Sequence, residues 1–387
     1  MSFNFIERVR QQKNQALYRQ RRLITIRKEN FIGYTGKAYL NFCSNDYLGL
    51  SLHPKVIAAF KQGSDDYGVG SGASQLVSGH YTPHDELEKA CAEFLQREAA
   101  LVFSSGYLAN VGVVNALVNR NDAIFADRLN HASLVDAAQL SRATLYRYAH
   151  NSNTHLEERI ERATQAKKLI ISDSVFSMRG DSANVVAMAD IAAKYHALLM
   201  LDDSHGMGVL GKNGRGVVEY TGLPQEQVPI LMSSFGKALG GMGAVVSGSR
   251  TLIEHLLQFA RTFTYNTGIP PAMAYAMLAS LQVIQEENWR REKLFYLINF
   301  FKKEADRLEL SFLSSETPIQ SFLIGSNEIT LSLSQFLLEK GYFVFAVRPP
   351  TVPPREAGLR ITLNCMHTEK QIQQLLGFLK KYCETIH

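Results

Sequence analysis

Six short apolar runs alternate with helical patterns through the middle of the chain: Ala100-Leu101-Val102-Phe103, Ala123-Ile124-Phe125-Ala126, Leu169-Ile170-Ile171, Ala197 to Leu201, Ile230-Leu231-Met232 and Ala244-Val245-Val246. Runs this short and uninterrupted read as strands buried on both faces, and strands separated by helices pair most simply as a mostly parallel sheet covered by those helices. The fold class is therefore α/β, with the loops at the strand ends carrying the site. Beyond Pro270-Pro271 the pattern changes to a long helical stretch from Ala272 through Leu308, strand-like runs at Ile319 to Ile324 and Phe343 to Val347, and a helix from Thr368 to Tyr382. The expected organisation is an N-terminal helical or extended segment (1–44), a large ligand-binding domain (45–275) and a smaller α+β C-terminal domain (276–387), with a cleft between domains to receive a ligand.

At 387 residues, 46% of them hydrophobic, the chain can bury a large core. No stretch approaches the roughly 20 apolar residues of a membrane span, and the first 30 residues lack the apolar core of a secretory signal, so a cytoplasmic protein without a membrane partner is expected. The net charge of +5 is spread along the chain apart from a basic stretch from Arg19 to Lys28. That stretch suits a nucleic-acid arm or a transit peptide, but Phe3, Phe5, Ile6, Val9 and Leu17 spaced among charges favour an amphipathic helix packed on the body, and no nucleic-acid partner is expected. Cys43, Cys91, Cys365 and Cys383 show no metal-binding spacing, which points to free thiols in a reducing compartment and to no metal.

Lys237 lies in Ser233-Ser234-Phe235-Gly236-Lys237-Ala238-Leu239-Gly240-Gly241, just past a short strand and among small residues. An amine that must lose its proton near neutral pH needs partial desolvation and close backbone approach, which glycines allow. Upstream, Leu198-Leu199-Met200-Leu201-Asp202-Asp203-Ser204-His205-Gly206 puts Asp202 at the carboxyl end of a buried strand. A lysine that forms a Schiff base and a carboxylate that holds a pyridinium nitrogen protonated are the two anchors of a pyridoxal phosphate site, with His205 placed to hydrogen-bond the ring's phenolic oxygen. Asp202, Asp203 and His205 read less well as a metal cluster, because no further ligand pair accompanies them.

Ser104-Ser105-Gly106-Tyr107-Leu108-Ala109-Asn110 follows a strand and opens a helix, a ready phosphate cup. His131, in Asn130-His131-Ala132-Ser133-Leu134, is either a helix-capping residue or one that lies flat against an aromatic cofactor, and Asp173-Ser174-Val175-Phe176-Ser177-Met178 brings further polar groups to the same sheet rim. Gly206-Met207-Gly208-Val209-Leu210-Gly211 matches the dinucleotide pattern, and Gly206 through Lys212 nearly matches a P-loop. Asn213 stands where a P-loop needs Ser or Thr, and Gly214-Arg215-Gly216 follows where a helix must begin, so both matches are decoys. Backbone approaching a bound ring explains these glycines better than a nucleotide does.

The motifs together resemble the α-oxoamine synthases, fold-type I pyridoxal phosphate enzymes that join an amino acid to an acyl-CoA with loss of carbon dioxide. The similarity runs from Asn41-Phe42-Cys43-Ser44-Asn45-Asp46-Tyr47-Leu48-Gly49-Leu50 through Leu359-Arg360-Ile361-Thr362. It implies a mostly parallel seven-stranded sheet and a role for each matching residue. Lys237 matches the Schiff-base lysine, Asp202 the pyridinium partner, His205 the contact to the phenolic oxygen, His131 the ring-stacking histidine and Ser177 a hydroxyl near that oxygen. Ser105, Gly106 and Tyr107 match the phosphate turn, with Ser234 where the family usually has threonine. Thr267, in Tyr265-Asn266-Thr267-Gly268-Ile269-Pro270-Pro271, matches a residue touching the neighbouring subunit's cofactor phosphate, which implies a homodimer with shared sites. Arg360 matches the arginine gripping the amino acid carboxylate, a task suited to its paired donors, and Asn45 lies near the substrate.

Within the family, Asn41 to Leu50, Gly70-Ser71-Gly72-Ala73-Ser74 with Val77-Ser78-Gly79, and Arg348-Pro349-Pro350-Thr351-Val352-Pro353 look most like the member that condenses L-alanine with a pimeloyl thioester carried by CoA or acyl carrier protein. Arg348 and one of Arg19, Arg21 or Arg22 are then candidates to hold the distal carboxylate or the CoA phosphates. The rivals are the aminoketobutyrate ligase, which uses glycine and acetyl-CoA, and a non-catalytic dimer partner.

Overall fold

The computed structural model describes residues 3–386. Two compact units emerge, one formed by Leu50–Phe176 and Ser182–Arg291, the other by the chain up to Gly49, Ser177–Asp181 and the chain from Glu292 onward.

The first unit is built on a seven-stranded sheet of β1 (Ala99–Phe103), β2 (Ala123–Asp127), β3 (Thr144–Tyr148), β4 (Lys168–Asp173), β5 (Leu198–Asp202), β6 (Ile230–Ser234) and β7 (Ala244–Gly248), in the spatial order β1-β7-β6-β5-β4-β2-β3. Strand β7 runs antiparallel to β1 and β6, and the remaining pairs are parallel. Six of the strands coincide with the apolar runs of the sequence. The seventh, β3, closes one edge of the sheet with Thr144 and Arg147 exposed, so it carries no continuous apolar run to betray it. Leu101, Ile124, Ile171, Met200, Met232 and Val246 bury one sheet face beneath the helices Gly106–Leu117, Ala132–Ser141 and Arg250–Phe259.

At the opposite edge, β1 leaves Val102 facing away from its only partner strand. Glu88 Oε1 accepts from the Val102 N–H at 2.9 Å, and Gln75 Nε2 donates to its carbonyl at 2.9 Å. These two side chains cap an edge that would otherwise template another strand. Burial pushes the Glu88 carboxyl up to about 8 from 4.5. A carboxyl whose folded pKa is raised keeps its proton in the fold while the unfolded chain has lost it, so its contribution to stability falls as pH rises from about 4.5 to about 8. Glu88→Gln keeps the acceptor and removes the titration, so thermal melts across that window become flatter and the variant melts a few degrees higher than the parent near pH 8. A parent-like slope in the variant contradicts this account.

In the second unit, a three-stranded antiparallel sheet runs in the order Ile319–Gly325, Ala357–Thr362, Phe345–Val347, and a second sheet joins Ile26–Lys28, Phe31–Tyr34, Lys37–Asn41 and Tyr342–Phe343. The single strand expected at Phe343 to Val347 is thus two, divided at Val344 between the two sheets. Ser177–Asp181 is held here by a dense set of bonds: Ser321 Oγ donates to the Met178 carbonyl at 2.6 Å, and Ser315 and Thr317 hydroxyls both reach the Gly180 carbonyl at 2.9 Å. Gly180, at φ +81°, has no room for a side chain, since a Cβ would lie 2.2 Å from the Ile319 carbonyl oxygen.

Two further expectations need correction. The helical stretch from Ala272 to Leu308 is two helices, Pro271–Glu286 and Trp289–Arg307, because Glu287 leaves helical geometry (φ −110°, ψ 59°) and Arg291 Nη1 takes the Ile284 carbonyl at 2.7 Å. The N-terminal helix, Phe5–Asn14, does form, but it buries none of its residues and leaves Phe3, Phe5, Ile6 and Val9 exposed rather than packed on the body. It ends before the basic stretch, where Ala16 takes a left-handed conformation (φ 53°).

Candidate active site

Asp202 ends β5, and its two carboxylate oxygens are each engaged: Ser204 N–H donates to Oδ1 at 3.0 Å and Asn110 Nδ2 to Oδ2 at 2.8 Å. Three residues later, His205 Nε2 stands 3.3 Å from Lys237 Nζ. The lysine follows β6, and the turn that carries it is tied to β5 by Ser234 N–H donating to Ser204 Oγ at 3.1 Å. The three residues predicted to hold a cofactor through an amine, a carboxylate and an imidazole thus converge at one end of adjacent strands.

The phosphate turn lies beside them. Ser105 caps the helix Gly106–Leu117 by accepting from Leu108 N–H at 3.2 Å, which leaves the first helical N–H groups at Gly106 and Tyr107 outside the helical ladder. Gly106 is close to Ser234, since a Cβ built on it would lie 3.5 Å from the serine Cβ. Ser234 Oγ accepts from Gly236 N–H at 3.2 Å. The Tyr107 hydroxyl bonds the Asp136 carboxylate, and Thr267 is exposed, bridged antiparallel to Ser74.

His131 caps the helix Ala132–Ser141 and is exposed. Its backbone N–H donates to Asp173 Oδ2 at 2.6 Å, while its Nδ1 lies 2.7 Å from Ser133 Oγ. Partial desolvation lowers the His131 pKa, with the Asp202 charge opposing and the Lys237 charge adding to the shift. Burial raises the Asp173 carboxyl well above its ordinary value, and the neighbouring Asp202 charge raises it further.

Asp203 turns away from this group. It accepts from Ser174 Oγ and from Val217 N–H at 2.9 Å, and burial lifts its carboxyl to about 7. Its carboxylate accounts for two glycines of the loop: a Cβ would stand 2.0 Å from it at Gly206 and 1.9 Å at Gly216. The close approach at these two glycines is therefore to Asp203, and at Gly211, where a Cβ would lie 2.3 Å from the Glu219 carboxylate, it is to Glu219. Among the described residues, no three His, Cys, Asp or Glu side chains are grouped to hold a metal.

The second unit collects Arg360, Ser177 and Asn45. Arg360 is 6% exposed on the strand Ala357–Thr362, with Nε donating to the Ser177 carbonyl at 2.6 Å, Nη1 to Thr362 Oγ1 at 2.8 Å and Nη2 to Asn45 Oδ1 at 3.1 Å, and the guanidinium also bonds the Tyr47 phenol. It is Ser177's carbonyl that Arg360 uses, not its hydroxyl. Burial lifts the nearby Tyr47 phenol to about 12, against the charge of Arg360.

A separate cavity of ≈560 Å³ in this unit is lined by Leu17, Phe343 and Phe345 with Arg19, Arg22 and Arg348. Arg19 Nη2 donates to Thr351 Oγ1 at 3.0 Å, and Arg348 donates to the carbonyls of Ala16 and Tyr18. Burial, then the charge of Arg19, lowers the Arg348 pKa. Arg22, over the Phe343 ring at 4.9 Å, lines this cavity where Arg21 does not. Sequence reasoning assigned no role to Thr351, Asn110 or Ser133. Asn110 offered a signal, as an asparagine inside an otherwise apolar helical turn, Ala109-Asn110-Val111-Gly112-Val113-Val114.

Comparison with known proteins places these features in context. The sequence matches the family Aminotransferase class I and II over residues 37–379. It is 51% identical over 343 residues to 8-amino-7-oxononanoate synthase of Saccharophagus degradans, covering 89% of this chain and 86% of the relative. With the Pseudomonas syringae pv. tomato enzyme of that name it shares 49% over 381 residues, covering 98% and 96%. Among solved structures, the serine palmitoyltransferase of Sphingomonas wittichii superposes at a TM-score of 0.92 with 28% identity, covering 99% of this chain and 97% of that one. The 8-amino-7-oxononanoate synthase of Francisella tularensis superposes at 0.80 with 32% identity, covering 90% and 98%.

Proposed function

The chain belongs to the class I and II aminotransferase family, and from that premise we propose that it is a pyridoxal-phosphate-dependent C-acyltransferase. Its reaction is the decarboxylative condensation of L-alanine with a pimeloyl thioester, giving 8-amino-7-oxononanoate, carbon dioxide and the free thiol carrier, a step of biotin synthesis. The observation that carries the reading is the approach of Lys237 Nζ to His205 Nε2 at 3.3 Å, at the sheet end where β5 presents Asp202.

The residues present fit the cofactor. Lys237 would be its covalent anchor, Asp202 the carboxylate for its pyridine nitrogen, His205 and Ser177 the partners for its phenolic oxygen, and His131 the residue stacked on its ring. The N–H groups of Gly106 and Tyr107, with Ser105 and Ser234, form an anion site of the kind helix amino termini provide. When bound, pyridoxal phosphate supplies an electron sink for the electron pairs left when alanine loses its Cα proton and the condensed product loses carbon dioxide.

Lys237 Nζ would be the base that takes the alanine Cα proton and the acid that returns a proton to the product. Asp202 would keep the pyridine nitrogen protonated. Arg360 would hold the alanine carboxylate through its guanidinium, which Asn45 positions. Thr267, exposed on its segment, serves the phosphate of a second subunit in a homodimer, and exposed Val69 and Val77 in the neighbouring loop support that assembly. We place the enzyme in the cytoplasm, consistent with four free cysteines; among the described residues no helix is long and apolar enough to cross a membrane.

Arg19 and Arg348 recognise the distal carboxylate of the acyl chain, whose methylenes suit the apolar wall of the ≈560 Å³ cavity. The test measures thiol release with alanine, glycine and serine against thioesters of differing length and terminal charge. Alanine with a pimeloyl thioester gives the fastest release; glycine with an acetyl thioester outpacing it sinks the proposal. Losing one charge-assisted bond, worth about 1.5–3 kcal/mol, Arg19→Ala raises KM for the pimeloyl thioester on the order of tenfold to a hundredfold. KM for alanine stays near the parent value. An equal rise in both constants contradicts the assignment.

A further inference from the structure

Asn110 lies 0% exposed in the helix Gly106–Leu117, and its Nδ2 is 2.8 Å from both Asp202 Oδ2 and Ser133 Oγ. A carboxylate oxygen accepts, so one amide hydrogen goes to Asp202 and the other to Ser133. Ser133 Oγ, having accepted from Asn110, turns its own hydrogen to His131 Nδ1 at 2.7 Å. A second bond gives the direction independently: the backbone N–H of Ser133, which can only donate, points at the same Nδ1 at 3.3 Å. The opposite amide orientation would set Asn110 Oδ1 against the Asp202 carboxylate, oxygen to oxygen.

We infer that Asn110 and Ser133 are positioning residues forming a directed hydrogen-bond chain from the Asp202 carboxylate to His131, which fixes the His131 ring with Nδ1 as acceptor and its proton on Nε2. The roles of Asp202 and His131 rest on the function proposed above, but the chain of bonds stands on geometry alone. The burial of its members shows what it is for. Asn110, Ser133 and Asp202 are 0%, 1% and 4% exposed, whereas His131, which they steer, is an exposed residue. Two bonds on one nitrogen hold the ring's plane and tautomer, as a residue that must meet a ligand in one orientation requires. The same chain, with Ser204 N–H on the other oxygen, sets the rotation of the Asp202 carboxylate. Asn110 thereby orients both groups expected to contact one heterocycle, one at its nitrogen and one at its face.

The test is a two-bond ¹H–¹⁵N correlation spectrum of the purified protein labelled with ¹⁵N-histidine, the His131 signal being assigned by its loss in His131→Gln. The expected pattern is that of a ring protonated at Nε2. In Ser133→Ala and Asn110→Ala the signal moves toward a mixture of tautomers, while Ser133→Thr, which keeps the hydroxyl, retains the parent pattern. With the loaded enzyme, kcat in Asn110→Ala falls about tenfold, the scale set by removing the partner behind a functional histidine, and KM for alanine stays within about twofold. A parent His131 protonated at Nδ1 overturns the inference, and this spectrum decides even if a variant fails to fold. Unchanged tautomer and kcat in a folded Asn110→Ala also overturn it. Failure of the parent to condense alanine with a pimeloyl thioester would overturn the proposed reaction instead, while the tautomer read from the spectrum would still decide the hydrogen-bond chain.

Discussion

Lys237→Ala loses at least roughly 10⁴-fold in turnover of alanine with a pimeloyl thioester, because one nitrogen carries two duties. In the proposed reaction it would anchor the cofactor covalently and move the Cα proton, and general base catalysis alone is worth about 10²–10⁴-fold. His205 Nε2 stands 3.3 Å from this amine, and an imidazole there cannot replace it as the covalent anchor. Borohydride treatment of the loaded parent, followed by peptide mass mapping, fixes the cofactor to the peptide containing residue 237. In the variant that modified peptide is absent. Cofactor attached to a different lysine, or a variant retaining a tenth of parental turnover, would remove the foundation of the assignment.

Asp202→Asn has the second largest effect, and it separates charge from shape. The substitution is nearly isosteric, yet both carboxylate oxygens already accept, from Ser204 N–H and from Asn110 Nδ2. An asparagine there must turn its NH₂ toward one of these donors. The fold therefore loses one hydrogen bond as well as the charge proposed to hold the cofactor's pyridine nitrogen protonated. Removing a preorganised electrostatic contact of this kind costs on the order of 10²–10³ in rate, so kcat falls by about that factor. Cofactor content, measured by absorbance after denaturation, stays close to the parent's because the lysine and the phosphate turn are intact. A kcat within about threefold of the parent would mean that the carboxylate does not serve the ring.

The chemistry-bearing residues of the large unit were legible because strand order translates directly into strand ends. A buried strand needs a continuous apolar run, so Leu198–Asp202 announces both its own burial and the position of the carboxylate that closes it. A helix following a strand exposes its first N–H groups at the same rim, which is why Ser105 and His131 both stand out at helix amino termini. Strand β3 escaped notice because an edge strand with polar residues needs no such run, and the exposed helix Phe5–Asn14 shows that amphipathic spacing specifies a face without supplying a surface to cover it.

What could be learned from residue order alone was the fold class and the family, since each depends on local periodicity or on short motifs. Which groups touch which was settled by folding: Arg360 reaching the Ser177 carbonyl across 183 positions, Asn110 reaching Asp202 across 92, and Asp203 claiming the space of Gly206 and Gly216. Such pairings carry no imprint in the chain because hydrogen bonds constrain distance and angle between atoms, and separation along the backbone enters neither.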